Sequence, residues 1–368
     1  MKVKEIGEFG LIARLSKMAQ KAENKQQAAW KQLITGIGDD ATAYLGGDTL
    51  QLATVDSLVQ DIHFSLAYMS WRELGWKSLA VNLSDIAAMG GSPRYALISL
   101  GLPAGTEVED VVALYQGMLD IAGKFGVAII GGDTVSSPFV FVSVTIIGCA
   151  MGKDNQIMKR SVAKAGDKIA VTNYLGASAG GLKMLSNKLK LKPKFAKKLR
   201  LAHLTPNPRV DEGQLLVKNG VKCGMDISDG LVGDLTHICQ ESKVSARINV
   251  DLIPVSPVVR ECFGARALAL ALNGGEDYEL LFTASPRVMN KVKKTMQCPV
   301  KVIGEITEEK AGKVKLVDSK GKLFSIKKTG WDHFTSYRIH PHPDLPTSAA
   351  LSTYGYGLQP SKVEGTKR

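Results

Sequence analysis

A chain of 368 residues, 45% hydrophobic and 22% charged, reads as a globular protein long enough for two domains. No apolar stretch approaches the roughly 20 residues that cross a bilayer, and the opening Met1-Lys2-Val3-Lys4-Glu5 lacks an apolar signal core, so neither membrane nor export is expected. The net charge of +12 does not by itself select nucleic acid: much of the excess falls in 183–200, where lysines alternate with leucines without interleaved aromatics or zinc-finger spacing.

That basic stretch is expected to be a solvated helix pair or loop. Five widely spaced cysteines without a Cys-x-x-Cys pair fit thiols in a reducing cytoplasm better than disulfides or a zinc site.

In chain order, residues 10–22 predict a helix, with Ile12, Leu15 and Met18 on one face. A strand over 50–55 ends at Asp56. Residues 71–89 read as a helix stopped by Gly90-Gly91 and Pro93. There follow a strand over 95–102, a helix over 107–125, and strands over 127–130 and 139–150. A second half opens near 151 with a strand over 168–172 and a helix from Gly176. Helices over 209–219 and 231–242 flank a short strand over 221–225. Strands over 246–250, 279–283, 300–303 and 314–317 complete a second sheet. The pattern predicts an α/β (α+β) protein with domains over 1–150 and 151–336. Residues 337–368 lack periodicity and read as a disordered tail.

Six acidic motifs stand out, most of them where an apolar run gives way to glycine, and carboxylates so placed suit a hard divalent cation such as Mg²⁺. Asp226-Ile227-Ser228-Asp229-Gly230 falls between an expected strand and helix. There Asp226 and Asp229 can converge on a metal while Ser228 faces a phosphate; helix capping would need only one such residue. Gly131-Gly132-Asp133-Thr134 would let a phosphate or ribose lie against backbone, and serves a plain β-turn equally well. Asp85 lies inside a helix one turn from Asn82, flanked by Ala80, Val81, Ile86 and Ala87. A buried carboxylate there needs a metal, an arginine or a hydrogen-bond donor. Asp39-Asp40 and Asp56 bracket an expected hairpin, and adjacent aspartates are tolerable with a cation between them. Arg160 could serve a triphosphate or the surface. No nucleophile signature occurs, which favours chemistry by positioning and charge.

Taken in order, Gly36-Ile37-Gly38-Asp39-Asp40, Val81-Asn82-Leu83-Ser84-Asp85, Ile130-Gly131-Gly132-Asp133-Thr134, Asp226-Ile227-Ser228-Asp229-Gly230 and Gly274-Gly275-Glu276-Asp277-Tyr278 resemble the thiamine-monophosphate kinase family. That family belongs to the aminoimidazole-ribonucleotide-synthetase-like superfamily of ATP-dependent enzymes, and the match runs from Gly7 to Phe334. The resemblance implies transfer of the ATP γ-phosphoryl group to thiamine monophosphate. It implies several Mg²⁺ ions on Asp40, Asp56, Asp85, Asp133, Asp226 and Asp229, with Asp85, Asp226 and Asp229 carrying the chemistry. It implies nucleotide contacts from Thr54, Gly132, Asp133, Arg160 and Ser228, and thiamine contacts from His63, Glu276 and Trp331. It also implies two α/β domains whose N-terminal sheets pair in a homodimer. Two readings stand beside it: an enzyme of the aminoimidazole-ribonucleotide synthetase type, and a non-catalytic nucleotide or metal sensor. A selenophosphate synthetase would need a reactive cysteine near the N-terminus, and the first here is Cys149.

Overall fold

The computed structural model describes residues 3–21, 31–151 and 155–324. Helix α1 spans Val3–Lys21 and starts earlier than its periodicity suggests, kinking at Gly7 with φ 67°. The first sheet has six strands in the order β1-β2-β3-β6-β4-β5. They are β1 (Leu33–Thr35), β2 (Thr42–Gly46), β3 (Thr49–Val59), β4 (Ser92–Leu102), β5 (Ala128–Ser136) and β6 (Phe141–Cys149). All neighbours are antiparallel except β4 and β5. Alternate residues of β6 explain its two faces: Val142, Val144 and Ile146 are buried while Ser143 and Thr145 face the other way. Helices α2 (Trp71–Ala88) and α3 (Val108–Phe125) cover the buried face, with Leu74, Leu79, Leu83, Leu114, Met118 and Ile121 in one core cluster.

The second sheet runs β12-β9-β11-β7-β10-β8 and is antiparallel except between β12 and β9. Its strands are β7 (Lys168–Thr172), β8 (Cys223–Asp226), β9 (Ser245–Asn249), β10 (Leu280–Ala284), β11 (Val300–Thr307) and β12 (Val314–Val317). Between them lie α4 (Ala177–Ser186), α5 (Pro193–Leu204), α6 (Val210–Lys218), α7 (Leu231–Glu241), α8 (Pro257–Phe263), α9 (Ala267–Asn273) and α10 (Pro286–Thr295). The basic stretch 183–200 is thus the end of α4, a connection and most of α5. Both sheets belong to one compact unit, and a shared apolar cluster joins Ala87 and Ala88 of α2 to Val217 of α6 and Phe282 of β10. All five cysteines are free. Among the described residues no helix is long and apolar enough to cross a membrane.

Helix α2 is the element most clearly written in sequence. Ser70 accepts from the Glu73 N–H while Glu73 Oε2 accepts from the Ser70 N–H at 2.9 Å, a reciprocal cap at its start. It is buried on nearly every side rather than on one stripe. Two strands of the first sheet run past their expected ends. β3 continues past Asp56 to Val59, and β5 runs through Gly131-Gly132-Asp133-Thr134 instead of ending before it. In each case the ladder persists because neighbouring strands supply partners: Asp56 pairs with Val144 of β6, and Asp133 pairs with Ser99 of β4. The expected tail, 337–368, and Trp331 lie outside the described residues.

Candidate active site

One helix carries four side chains to three distant segments, β3, β8 and the loop at Glu276. From α2, Ser84 Oγ donates to Asp226 Oδ2 at 2.6 Å, and Asp85 Oδ2 accepts from Thr54 Oγ1 at 2.6 Å. Asn82 Oδ1 accepts from the Asp56 N–H at 2.9 Å, and Lys77 Nζ lies 2.7 Å from Glu276 Oε1. The spacing works because α2 contacts β3 of the first sheet and β8 of the second. Residues from both halves of the chain therefore meet along its length.

At one end Asp40, Asp85 and Asp226 each offer an oxygen within 4.8 Å of the others. Arg160, opening a 3-10 turn over Arg160–Val162, grips the same group. Its Nη2 and Nε donate to the two oxygens of Asp40 at 2.7 and 3.2 Å, and its backbone N–H donates to Asp39 Oδ1 at 3.0 Å. Burial opposes the guanidinium charge, but Asp40, then Asp226 and Asp39, outweigh it and hold the proton more firmly than usual. Even so the carboxyls resist ionisation. Burial, then the charges of Asp56, Asp226 and Asp40, push Asp85 well above the usual carboxylate range. Burial and then Asp40 push Asp226 up to about 8, against the opposing pull of Ser84 and Arg160. Asp39 rises to about 6 through burial and its neighbour Asp40. Carboxyls crowded this way keep protons unless a cation takes their place.

The other end centres on Glu276, whose backbone is left-handed at φ 64°. Its N–H donates to the Ser228 carbonyl at 2.7 Å, and the Tyr278 N–H donates to the Ile227 carbonyl at 2.9 Å. The glycine before it is demanded by this approach: a Cβ on Gly275 would sit 2.3 Å from the Ser228 oxygen. The Glu276 loop and the acidic loop are therefore bound to each other through backbone. Burial works against the Glu276 charge, but the Lys77 ammonium above all more than offsets it and holds the carboxyl below its usual range. Asp277, next in line, accepts from the N–H groups of Gly176 and Ser178 at the start of α4, at 2.6 and 3.2 Å.

The structure gathers some predicted residues and separates others. Asp40, Asp85 and Asp226 converge; Asp56 flanks them, and its charge raises Asp85. Thr54 and Arg160 reach the group, and here both bind its carboxylates. Asp229 is not in the tight group. It is half-buried, and after burial itself its charge raises Asp234, the carboxylate that accepts from the Gly230 N–H at 3.0 Å. Asp133 is also apart: it is exposed, in register with Ser99, and accepts from the adjacent Thr134 N–H. Gly132 is locked inside the sheet, since a Cβ there would lie 1.7 Å from the Ile98 oxygen. Ser228 contributes its carbonyl to Glu276, and His63 Nδ1 accepts from the Val59 N–H at 3.0 Å. Sequence reasoning missed Lys77, Ser84, His203 and Asp234. Only Asp234 carried a local signal, as an acid in the first turn of a helix.

Known proteins resemble this chain along most of its length. Residues 38–150 match the AIR synthase related protein, N-terminal domain, and residues 164–317 match the corresponding C-terminal domain. The thiamine-monophosphate kinase of Buchnera aphidicola subsp. Schizaphis graminum is 38% identical over 338 residues, covering 90% of this chain and 99% of that protein. That of Bacillus subtilis is 35% identical over 81% of this chain and 93% of its own length. The solved structure of AaThiL complexed with AMPPCP and TMP aligns with a TM-score of 0.77 at 32% identity, covering 90% of this chain and 99% of that one.

Proposed function

We infer the reaction of this chain, which belongs to the thiamine-monophosphate kinase family and is a phosphotransferase, from where its acidic residues meet. The γ-phosphoryl group of ATP passes to the phosphate of thiamine monophosphate, giving ADP and thiamine diphosphate. The observation that carries this reading is the convergence of Asp40, Asp85 and Asp226, from three distant segments, on one point. Their hard oxygen donors fit Mg²⁺, and so do the raised carboxyls of Asp85 and Asp226, which hold protons where a cation would sit. Asp40, Asp85 and Asp226 would hold it, with Asp56 beside them and Asp229 and Asp133 as further oxygen donors. Bound Mg²⁺ ions offset the charge that keeps two phosphate groups apart.

The rest falls to side chains of the chain itself. Arg160, fixed by Asp40, adds a permanent cation beside the same point. Thr54 and Ser84 fix the orientation of Asp85 and Asp226. Thr54, Gly132, Asp133, Arg160 and Ser228 line the nucleotide side, while His63, Glu276 and Trp331 receive thiamine. No strong base is needed, because the acceptor phosphate has a second pKa of roughly 6 and is largely dianionic at neutral pH. Transfer is direct and in line, without a phospho-enzyme. The test is coupled ADP release from ATP, Mg²⁺ and thiamine monophosphate, with thiamine diphosphate formed in equal amount. A folded protein that binds ATP yet releases no ADP overturns the reading, and covalent label on the chain from γ-labelled ATP overturns direct transfer.

A second copy of the chain completes the assembly. Val55, Tyr95, Leu97 and Val135 share the outer face of the first sheet by register and are exposed. A contiguous apolar sheet face of that kind is suited to an isologous dimer.

A further inference from the structure

We propose that Lys77 and His203 are positioning residues that act through Glu276, fixing its carboxylate to face the cationic end of the substrate. This rests on the thiamine monophosphate reading above. Lys77 projects from α2 with its side chain 0% exposed, and its Nζ stands 2.7 Å from Glu276 Oε1. The contact is close, yet Nζ makes no well-angled hydrogen bond among the described residues. A lysine shut away like this is costly compared with a leucine of similar bulk, so packing alone does not account for it.

His203, 1% exposed on α5, approaches the other carboxylate oxygen. Its Nδ1 lies 3.3 Å from Glu276 Oε2 and 3.0 Å from Ser178 Oγ of α4, while Nε2 has no partner among the described residues. A proton on Nδ1 lets the ring donate to the carboxylate and leaves the vacant lone pair on Nε2, the tautomer that suits both observations. Burial and then Lys77 pull the imidazole down to about 4, so it is neutral at ordinary pH.

Exposure separates the roles. Glu276 is 27% exposed, whereas Lys77 and His203 are closed off, so a ligand reaches the carboxylate and not the two groups behind it. A carboxylate has about four lone-pair positions, and with Lys77 and His203 approaching from behind the exposed ones are left for the ligand. The left-handed backbone at Glu276 is unfavourable for a residue with a side chain, and it persists because both ends are held. The N–H is bound to Ser228, and the carboxylate is bound by α2 and α5.

The test is a double-mutant cycle read by steady-state kinetics, with thiamine monophosphate and ATP varied separately. Glu276→Gln and Lys77→Met should each raise the KM for thiamine monophosphate about tenfold or more, leaving the KM for ATP within about threefold. The double variant should match Glu276→Gln alone within about twofold, because a residue acting only through Glu276 has nothing left to position. Lys77→Arg, which keeps the charge, should restore most of the loss, and His203→Gln should weaken thiamine monophosphate in the same selective way. Multiplying effects in the double variant, an equal rise in the ATP KM, or a Lys77→Met variant of wild-type KM would each overturn the inference. If Lys77→Met does not fold, the double variant and Lys77→Arg carry the comparison, since neither leaves a buried charge alone. Absence of any turnover by the wild-type chain overturns the functional reading and this inference together; turnover with independent effects overturns the inference alone.

Discussion

At Asp226, burial and the nearby Asp40 raise the carboxyl to about 8 from an ordinary value of 3.8. The folded chain therefore holds a proton that the unfolded chain gives up, and the stability this confers is complete below about 4. It is lost as pH rises from about 4 to about 8. Asp85 shifts in the same direction. The metal-free protein should accordingly melt at a lower temperature at pH 8 than at pH 6. Mg²⁺ should raise the midpoint more at pH 8, because at pH 6 it must displace protons to bind. Calorimetry in buffers of different ionisation enthalpy should record proton release on Mg²⁺ binding near pH 6.5, and binding without proton release would contradict these assignments. The same crowding predicts that Asp85→Asn and Asp226→Asn each lower turnover by at least about a hundredfold while leaving the fold intact. Their metal-free melting points at pH 8 should equal or exceed the wild-type value, since each removes a repelled charge. Normal turnover in either variant would remove that residue from the chemistry.

Helix α2 shows how one element serves two ends of a site. Lys77 and Ser84 stand seven residues apart on the same helical face, two turns from each other, and each reaches a segment of the second half of the chain. Ser84→Ala tests this directly, because the hydroxyl orients Asp226 from behind and favours its ionised form. The substitution should weaken apparent Mg²⁺ affinity about tenfold, with a much smaller change in melting temperature. Unaltered affinity in a Mg²⁺ titration of activity would show that Asp226 needs no such support. The end of α2 was legible because Gly90-Gly91 and Pro93 are local signals, and the cap of Ser70 with Glu73 marks its start in the structure. Asp85 was legible as a buried acid needing a partner. Lys77 was not, because nothing near it in sequence announces Glu276, and a lysine in a helix ordinarily reads as solvent-facing. The true length of β3 and β5 was hidden for a related reason. Their continuations carry Asp56, Ser57, Asp133 and Thr134, polar residues that read as a strand end although neighbouring strands keep the ladder going. The seven-residue helices α8 and α9 were too short for periodicity to register.

At the scale of the molecule, the first sheet is apolar on two faces for different reasons. One face is covered by α2 and α3. The other presents Val55 at 60%, Tyr95 at 48%, Leu97 at 38% and Val135 at 53% exposure. In register, Val55 and Leu97 flank Thr145, while Ser57 and Ser143 bond each other at 2.9 Å one row along. Across β3, β6 and β4 these rows hold apolar and small hydroxyl residues, and Asp133 of β5 adds a carboxylate at the end of the Ser99 row. The same face carries Tyr95 and Ile147 in one row, so the apolar strip crosses β4 and β6 rather than ending at a strand. Light scattering at micromolar concentration should therefore report a mass near twice the 39.5 kDa of the chain. Leu97→Glu puts a charge in the middle of that strip, where desolvating it without a partner is costly for a dimer and free for a monomer. The variant should shift to the monomer mass and keep the wild-type far-ultraviolet circular dichroism. A wild-type chain that scatters as a monomer, or a Leu97→Glu variant that stays dimeric, would mean that this face is covered by something other than a second copy.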